Sequence, residues 1–144
     1  MARRKSHAAA TFGIRSDHVL MALGYVLVES MRPGTRLEGL PLTLTKIERY
    51  PVRNATPDQP PVWTTVEFQF PEEEAGRLAD ALAAVLDEHG GWYSHFNVNG
   101  ETFVVYAARV FRYPSGDKAG RASAEEYGRS IGVPEPQLDW DEYE

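Results

Sequence analysis

One polar cluster in the sequence combines residue types that can move a proton. Tyr93, His95 and Asn97 alternate along a predicted strand, so their side chains share one of its faces. Glu101 and Arg109 follow an Asn-Gly turn and could approach that face from neighbouring strands. A histidine titrates near neutral pH, and a carboxylate beside it fixes its tautomer. The pattern is compatible with a small hydrolase that uses His95, Tyr93 and Glu101.

The same face also suits a binding surface without catalysis. Tyr, Trp and Arg often anchor protein interfaces, and Trp63 on an earlier strand could extend the face. Polar residues on a half-solvated sheet face need no catalytic explanation. We therefore expect a non-catalytic binding or regulatory protein that acts through an exposed sheet face, with the hydrolase as the alternative. The candidate binding residues are Trp63, Tyr93, His95, Asn97, Glu101 and Arg109.

The stretch Gly90–Pro114 predicts a β-hairpin or a three-stranded meander. Aromatic and β-branched residues flank Asn99-Gly100, and Asn-Gly accepts the positive φ angles of a tight turn. The face opposite the candidate site, with Trp92 and Phe96, would pack against the glycine-rich helix that follows.

Two strands are predicted before the meander. Leu40–Val52 and Val62–Phe70 alternate polar and apolar residues, which is typical of half-buried strands. In the first strand, Leu44 would point to one face and Ile47 to the other. In the second strand, Trp63 would lie on the face turned away from the core.

Two helices are predicted, one on each side of the meander. Pro71–His89 carries an apolar stripe after a first turn of three glutamates, and Gly90-Gly91 would end it. Asp117–Ile131 is capped by its first residue and has Gly120 and Gly128 in one row. Glycine inside a helix costs about 1 kcal/mol relative to alanine, so this row predicts close approach of the helix backbone to another surface.

Residues 1–39 are predicted to be an extension of the main domain. A basic arm, residues 1–15, precedes an apolar helix that begins at residue 16 or 17 and ends before Pro33-Gly34. The apolar run Val19–Val28 falls short of the roughly 20 residues that span a bilayer. No transmembrane segment is therefore expected.

The order of these elements predicts an α+β fold. Residues 40–144 form a single domain with an acidic C-terminal tail in this prediction. The elements follow as β-β-α-β-β(-β)-α after the N-terminal helix. Strand pairs that are each followed by a helix favour a mainly antiparallel sheet of four to five strands with helices on one face.

Composition narrows the range of functions. The 144 residues include no cysteine and carry a net charge of −6. Thiol chemistry is therefore excluded, and nucleic acid is not expected as a partner because its binding depends on neutralising phosphates. The histidines are scattered and no phosphate-binding or nucleophile motif is present, so no metal and no cofactor are expected. We expect a cytoplasmic protein that binds another protein or a second copy of itself.

Three stretches of the sequence are distinctive when taken together: LTLTKIERY, GWYSHFNVNGETFVVYAARVFRYPSGD and EYGRSIGVPEPQLDW. They resemble a family of small uncharacterised bacterial proteins, mainly from actinobacteria. The resemblance covers about residues 42–140 and implies no activity. In that family the strand region is interrupted near residues 107–108, which implies the three-stranded meander.

Overall fold

The computed structural model describes residues 14–16 and 19–142 of the chain. Seven strands and two α-helices lie within these residues. Most of the predicted basic arm and the helix start at residue 17 lie outside these residues. The fold is α+β, but its order is β-β-β-β-α-β-β-β-α. The strands are β1 Ile14–Ser16, β2 Val19–Leu27, β3 Thr43–Pro51, β4 Val62–Pro71, β5 Ser94–Val98, β6 Glu101–Tyr106 and β7 Arg109–Pro114, and the helices are α1 Ala75–Val85 and α2 Lys118–Ser130.

The strands form two antiparallel sheets, so the prediction of a single sheet of four to five strands is wrong. The first sheet has the order β1-β2-β4-β3, and the second has the order β5-β6-β7. The two sheets meet where β2 passes β5. At this contact the Ser94 hydroxyl donates a hydrogen bond of 2.9 Å to the carbonyl of Tyr25. The predicted meander is present as β5–β7, with its turns at residues 99–100 and 107–108.

The predicted N-terminal helix is wrong, because its apolar segment is the strand β2 between β1 and β4. Towards its C-terminal end, β2 is buried on both faces: Ala22 and Val26 enter one core, while Tyr25 and Leu27 enter the other. An apolar residue is therefore needed on either face, which removes the alternation that marks a half-buried strand. Gly24 lies opposite Phe68, and a Cβ atom at Gly24 would stand 2.9 Å from that ring.

The helices pack on opposite faces of the second sheet, so the prediction that they share one face is also wrong. Phe103 and Val105 of β6 lie in the core that contains α1. Val104 and Tyr106 point the other way and pack with Ala124 of α2. Phe96 lies on the α1 side, so it does not face the glycine-rich helix.

Helix α1 is shorter than predicted. Glu72–Glu74 form a 3₁₀ turn, the helix ends at Val85, and His89 lies in the following loop. Leu86 is extended and forms a bridge with Met31, so backbone pairing replaces the last helical turn. The predicted apolar stripe is confirmed as buried, and its members are Ala75, Leu78, Ala79, Leu82, Val85 and Leu86.

Helix α2 approaches the sheet as closely as its glycine row predicts. The Asp117 side chain caps it by accepting a hydrogen bond from the backbone N–H of Ala119 at 3.2 Å. A Cβ atom at Gly120 would stand 2.5 Å from the Cβ of Tyr113, and one at Gly128 would stand 2.6 Å from the Tyr106 hydroxyl. Neither described helix is long and apolar enough to cross a membrane.

Candidate interaction surface

Three of the predicted site residues lie in the interior. Trp63 and Tyr93 are 0% exposed and His95 is 3% exposed. The Tyr93 ring packs against Trp140 of the C-terminal segment, residues 131–142 after α2, with centroids 5.4 Å apart. Trp63 packs edge-on against Trp92 at 5.2 Å. The expected exposure of this sheet face is wrong, because α2 and the C-terminal segment cover it.

The polar atoms of these residues bond to neighbouring parts of the same chain. Trp63 Nε1 donates to the carbonyl of Pro60 at 2.8 Å, and the Tyr93 hydroxyl donates to the carbonyl of Gln137 at 2.5 Å. His95 Nδ1 lies 3.3 Å from the Tyr25 hydroxyl, across the contact between the two sheets. These side chains therefore hold the two sheets and the C-terminal segment together.

The proposed histidine–carboxylate pair does not form. His95 pairs with Val104, whereas Glu101 pairs with Val98, and the two sets of positions alternate along the strands. The side chains of His95 and Glu101 therefore lie on opposite faces of the second sheet. Glu101 instead makes a bidentate ion pair with Arg112, at 2.7 and 3.0 Å, and this hydrogen bonding lowers the pKa of Glu101.

Of the other two predicted site residues, Asn97 shares the strand face of Tyr93 and His95, whereas Arg109 lies elsewhere. Asn97 is half-buried; its amide donates to the carbonyl of Asp141 at 2.9 Å and accepts from the Thr102 hydroxyl at 2.6 Å. The guanidinium of Arg109 lies over the Phe111 ring at 4.7 Å, two strands away on β7. Of the six candidates, the structure brings only Tyr93, His95 and Asn97 together on one strand face, and that face is covered.

A groove of about 680 Å³ lies between the end of α1 and the turn of the β6–β7 hairpin. Its charged side chains are two of each sign, and no histidine, serine or tyrosine is among the described residues that line it. Arg32 is already engaged, since it donates to the carbonyls of Ala84 and Leu86. The ionisable groups that line the groove are therefore two carboxylates and two guanidinium groups. The lining residues are Arg32, Asp80, Ala83, Ala84, Glu88, Ala107, Ala108, Arg109 and Val110.

The C-terminal segment is held over the second sheet by the carboxylate of Glu142. This group accepts hydrogen bonds from the Tyr113 hydroxyl at 2.5 Å, the Gly116 N–H at 2.8 Å and Arg121 at 3.0 Å. Burial alone would raise the pKa of Glu142, but these hydrogen bonds outweigh it and lower the pKa below the ordinary value of 4.5. The guanidinium of Arg121 also stacks on Trp140 at 4.6 Å.

A pair of glutamines fastens the start of the same segment. Gln59 and Gln137 are buried and exchange hydrogen bonds through their side-chain amides at 3.2 and 2.9 Å. Their second amide protons reach the carbonyls of Gly90 and Asn54. Buried amides are costly unless they are satisfied, so this pairing fixes one position of the segment. Nothing in the sequence separates these glutamines from exposed ones.

The largest exposed apolar side chains of the described residues belong to the first sheet. Ile47 is 60% exposed and Leu44 is 56% exposed, both on β3, while Leu20 lies near the start of β2 and Val28 directly follows its last residue. Leu44 pairs with Phe68 and Ile47 pairs with Val66, so both point to the same face as α1. The prediction that they point to opposite faces is wrong, because a bulge between Leu44 and Lys46 shifts the alternation by one residue.

Strand β3 is an edge of the first sheet. Among the described residues, β4 is the one strand that pairs with it. Lys46 and Glu48 project from the face opposite Ile47, and the Lys46 ammonium lies 3.8 Å from both Glu48 and Glu67. We call Leu44, Lys46, Ile47 and Glu48, together with the outer backbone edge of β3, the β3 surface.

The described residues contain no group of three or more histidine, aspartate or glutamate side chains placed to hold a metal ion. Comparison with known proteins found no match, since no family model, no curated protein and no solved structure matches the chain. A function for the chain therefore rests on its own side chains.

Proposed function

We propose that the chain is a non-catalytic binding protein that takes up an extended protein strand along the β3 surface. The observation that carries this proposal is the exposure of Ile47, at 60%, in the middle of an edge strand. Edge strands present unpaired backbone N–H and C=O groups, and an added strand satisfies them. An apolar side chain beside that edge would be covered by the same event.

Two features of β3 favour selective over indiscriminate pairing. The bulge next to Leu44 and the charge of Lys46 are devices that keep an edge strand from pairing with any exposed strand. Only a partner that matches this bent and charged edge would fit it. Ile47 and Leu44 would then supply apolar contact on one face, while Lys46 and Glu48 would select the partner on the other.

The hydrolase alternative has lost its geometric support. It depended on a cluster of His95, Tyr93 and Glu101. The register of β5 and β6 places the histidine and the carboxylate on opposite faces of the second sheet. The binding surface that we propose is therefore on β3 and not on the meander.

Site-specific photo-crosslinking in cells that naturally produce the protein tests this proposal. A photo-reactive amino acid at Leu44 should give one discrete adduct, because a bound strand would lie against this side chain. The matched control carries the same amino acid at Glu126, which is exposed on α2. Adding Ile47→Lys to the Leu44 variant should remove the adduct. If the Leu44 variant gives no adduct, or the same products as the Glu126 control, the β3 surface is not a binding site.

A further inference from the structure

We infer that the strand taken up along β3 is β3 of a second copy of this chain, paired antiparallel about a twofold axis through Ile47. This inference rests on the proposed function and names its partner. A twofold interface uses the same surface on both subunits, so that surface must complement itself. The sequence around Ile47 meets this requirement.

The charges next to Ile47 are the evidence for self-complementarity. In an antiparallel pair centred on Ile47, Lys46 of one copy lies directly opposite Glu48 of the other, and the same pair recurs on the other side of the axis. Directly opposed residues in antiparallel strands project to the same face and interact most strongly. Both charges already share a face, since Lys46 pairs with Glu67 and Glu48 pairs with Thr65.

Neighbouring registers are less favourable. A twofold axis perpendicular to the sheet pairs residues of the same face, so the nearest alternatives are centred on Lys46 or Glu48. These would place two ammonium groups or two carboxylates directly opposite each other, which is destabilising. The register through Ile47 avoids both and matches opposite charges at both flanking positions.

The apolar side chains favour the same arrangement. With the axis perpendicular to the sheet, the exposed Ile47 and Leu44 of both copies come to the same face of one continuous sheet. The two Ile47 side chains then meet at the axis and cover each other. Two first sheets joined in this way give the order β1-β2-β4-β3-β3-β4-β2-β1, in which neither copy retains β3 as an edge.

Charge reversal provides a test with an internal rescue. Lys46→Glu places two carboxylates opposite each other at both ends of the pair, and Glu48→Lys places two ammonium groups there. Each variant alone should raise the dimer dissociation constant about tenfold or more. An equimolar mixture of the two should recover association, because the introduced carboxylate of one variant then faces the introduced ammonium group of the other. The controls are Lys118→Glu and Glu126→Lys, which make the same charge changes at exposed positions on α2.

The measurements are sedimentation velocity on the purified full chain and native mass spectrometry of the mixture. Thermal unfolding of each variant verifies that it is folded. Both variants should fold, because both substituted side chains are solvent-accessible. The inference requires a wild-type dimer, weakened single variants, a heterodimer in the mixture and unchanged controls. A wild-type chain that remains monomeric at roughly 100 μM overturns it. A dimer that Lys46→Glu leaves unchanged, or a mixture that stays monomeric, overturns it equally.

These outcomes are separate from those of the proposed function. If the chain is monomeric while the Leu44 photo-crosslink forms an adduct with a different protein, the β3 surface binds but its partner is not a second copy. If the chain is monomeric and no adduct forms, both proposals fail. An adduct of twice the chain mass together with charge rescue supports both.

Discussion

The two sheets of this protein have similar strands and opposite surroundings. The second sheet, β5–β7, has α1 on one face and α2 with the C-terminal segment on the other. The first sheet is covered around β2 and the end of β4, but its edge strand β3 is exposed along most of its length. The comparison shows that the sheet richest in aromatic residues is the interior one in this chain, whereas the exposed edge strand is not rich in them.

The difference is also one of what holds each region in place. The Tyr93 and Tyr106 hydroxyls donate hydrogen bonds to backbone carbonyls of the elements that cover the second sheet. In the other direction, Trp140 of the C-terminal segment donates to the Tyr113 hydroxyl on β7. In β3, the ion pairs of Lys46 are 3.8 Å long and lie at the surface, where such pairs contribute little to stability. We therefore expect substitutions in the second sheet to affect folding, and substitutions in β3 to affect association.

The largest expected effect comes from removing an aromatic ring from the second sheet. Phe103 is 2% exposed and stacks on Phe96 with centroids 4.8 Å apart. Phe103→Ala should lower the free energy of unfolding by about 4 kcal/mol, because it removes buried apolar surface and leaves a cavity. The matched change in the first sheet, Ile47→Ala, should cost about 0.5 kcal/mol in the monomer. Urea unfolding monitored by tryptophan fluorescence measures both values.

Equal costs for these two substitutions would contradict the comparison between the sheets. The unfolding should be measured at low protein concentration, because association through β3 would add stability to any variant that retains Ile47. A strongly destabilising Ile47→Ala under these conditions would mean that β3 is part of the core.

The next effect concerns the close packing of α2 on the second sheet. Gly120→Ala places a Cβ atom 2.5 Å from the Cβ of Tyr113, so the helix must shift. We expect a loss of about 2 kcal/mol, since overpacking of about 3 kcal/mol outweighs the roughly 1 kcal/mol gained in helix propensity. The control is Gly76→Ala in α1, where the added Cβ would meet no atom of the described residues within 4 Å outside its own helical turn. A gain of up to about 1 kcal/mol is expected there. Thermal unfolding measures both variants. Equal stabilisation of Gly120→Ala and Gly76→Ala would contradict the packing of α2 on this sheet.

A smaller effect, of about 1 to 2 kcal/mol at neutral pH, is expected for Glu142→Gln. The pKa of Glu142 is lowered in the folded protein, so its contribution is complete above the unfolded value near 4.5 and is lost as the pH falls through the folded value. The stability difference between wild type and Glu142→Gln should therefore shrink on acidification below about pH 4.5. Denaturant unfolding between about pH 3 and 7 measures this difference.

Glu126→Gln is the matched control for this pH series, since Glu126 is exposed on α2. Its stability difference from wild type should remain near zero throughout. If the effect of Glu142→Gln is independent of pH, then the Glu142 carboxylate does not fasten the C-terminal segment. If the effect grows on acidification, the sign of the pKa shift is wrong.

Local sequence signals were sufficient for several elements. Asn99-Gly100 predicts the hairpin because few other dipeptides accept two positive φ angles, and both residues do have positive φ. The apolar stripe from Ala75 predicts α1, and Gly120 predicts close contact of α2. Each of these signals depends on neighbours within a few residues.

The remainder depended on distant neighbours. Val19–Leu27 has residues that suit a helix, and it became a strand because β4 pairs with it and cores lie on both of its faces. Alternation predicted correctly that Tyr93 and His95 share a face, but it carries no information on what covers that face. The bulge in β3 has no sequence signal of its own, and it decides that Leu44 and Ile47 lie together.

Hydrogen exchange as a function of protein concentration tests the central claim most directly. Strand β3 is an edge strand of the first sheet, and β7 is an edge strand of the second sheet. The exchange of β7 therefore serves as the control for that of β3. The outward-facing amides of β3 should exchange more slowly at roughly 100 μM than at roughly 1 μM, because a second β3 strand would accept their hydrogen bonds. The amides of β7 should exchange at the same rate at both concentrations. Equal rates for β3 at the two concentrations, or protection that appears in β7 instead, would contradict self-association through the β3 surface.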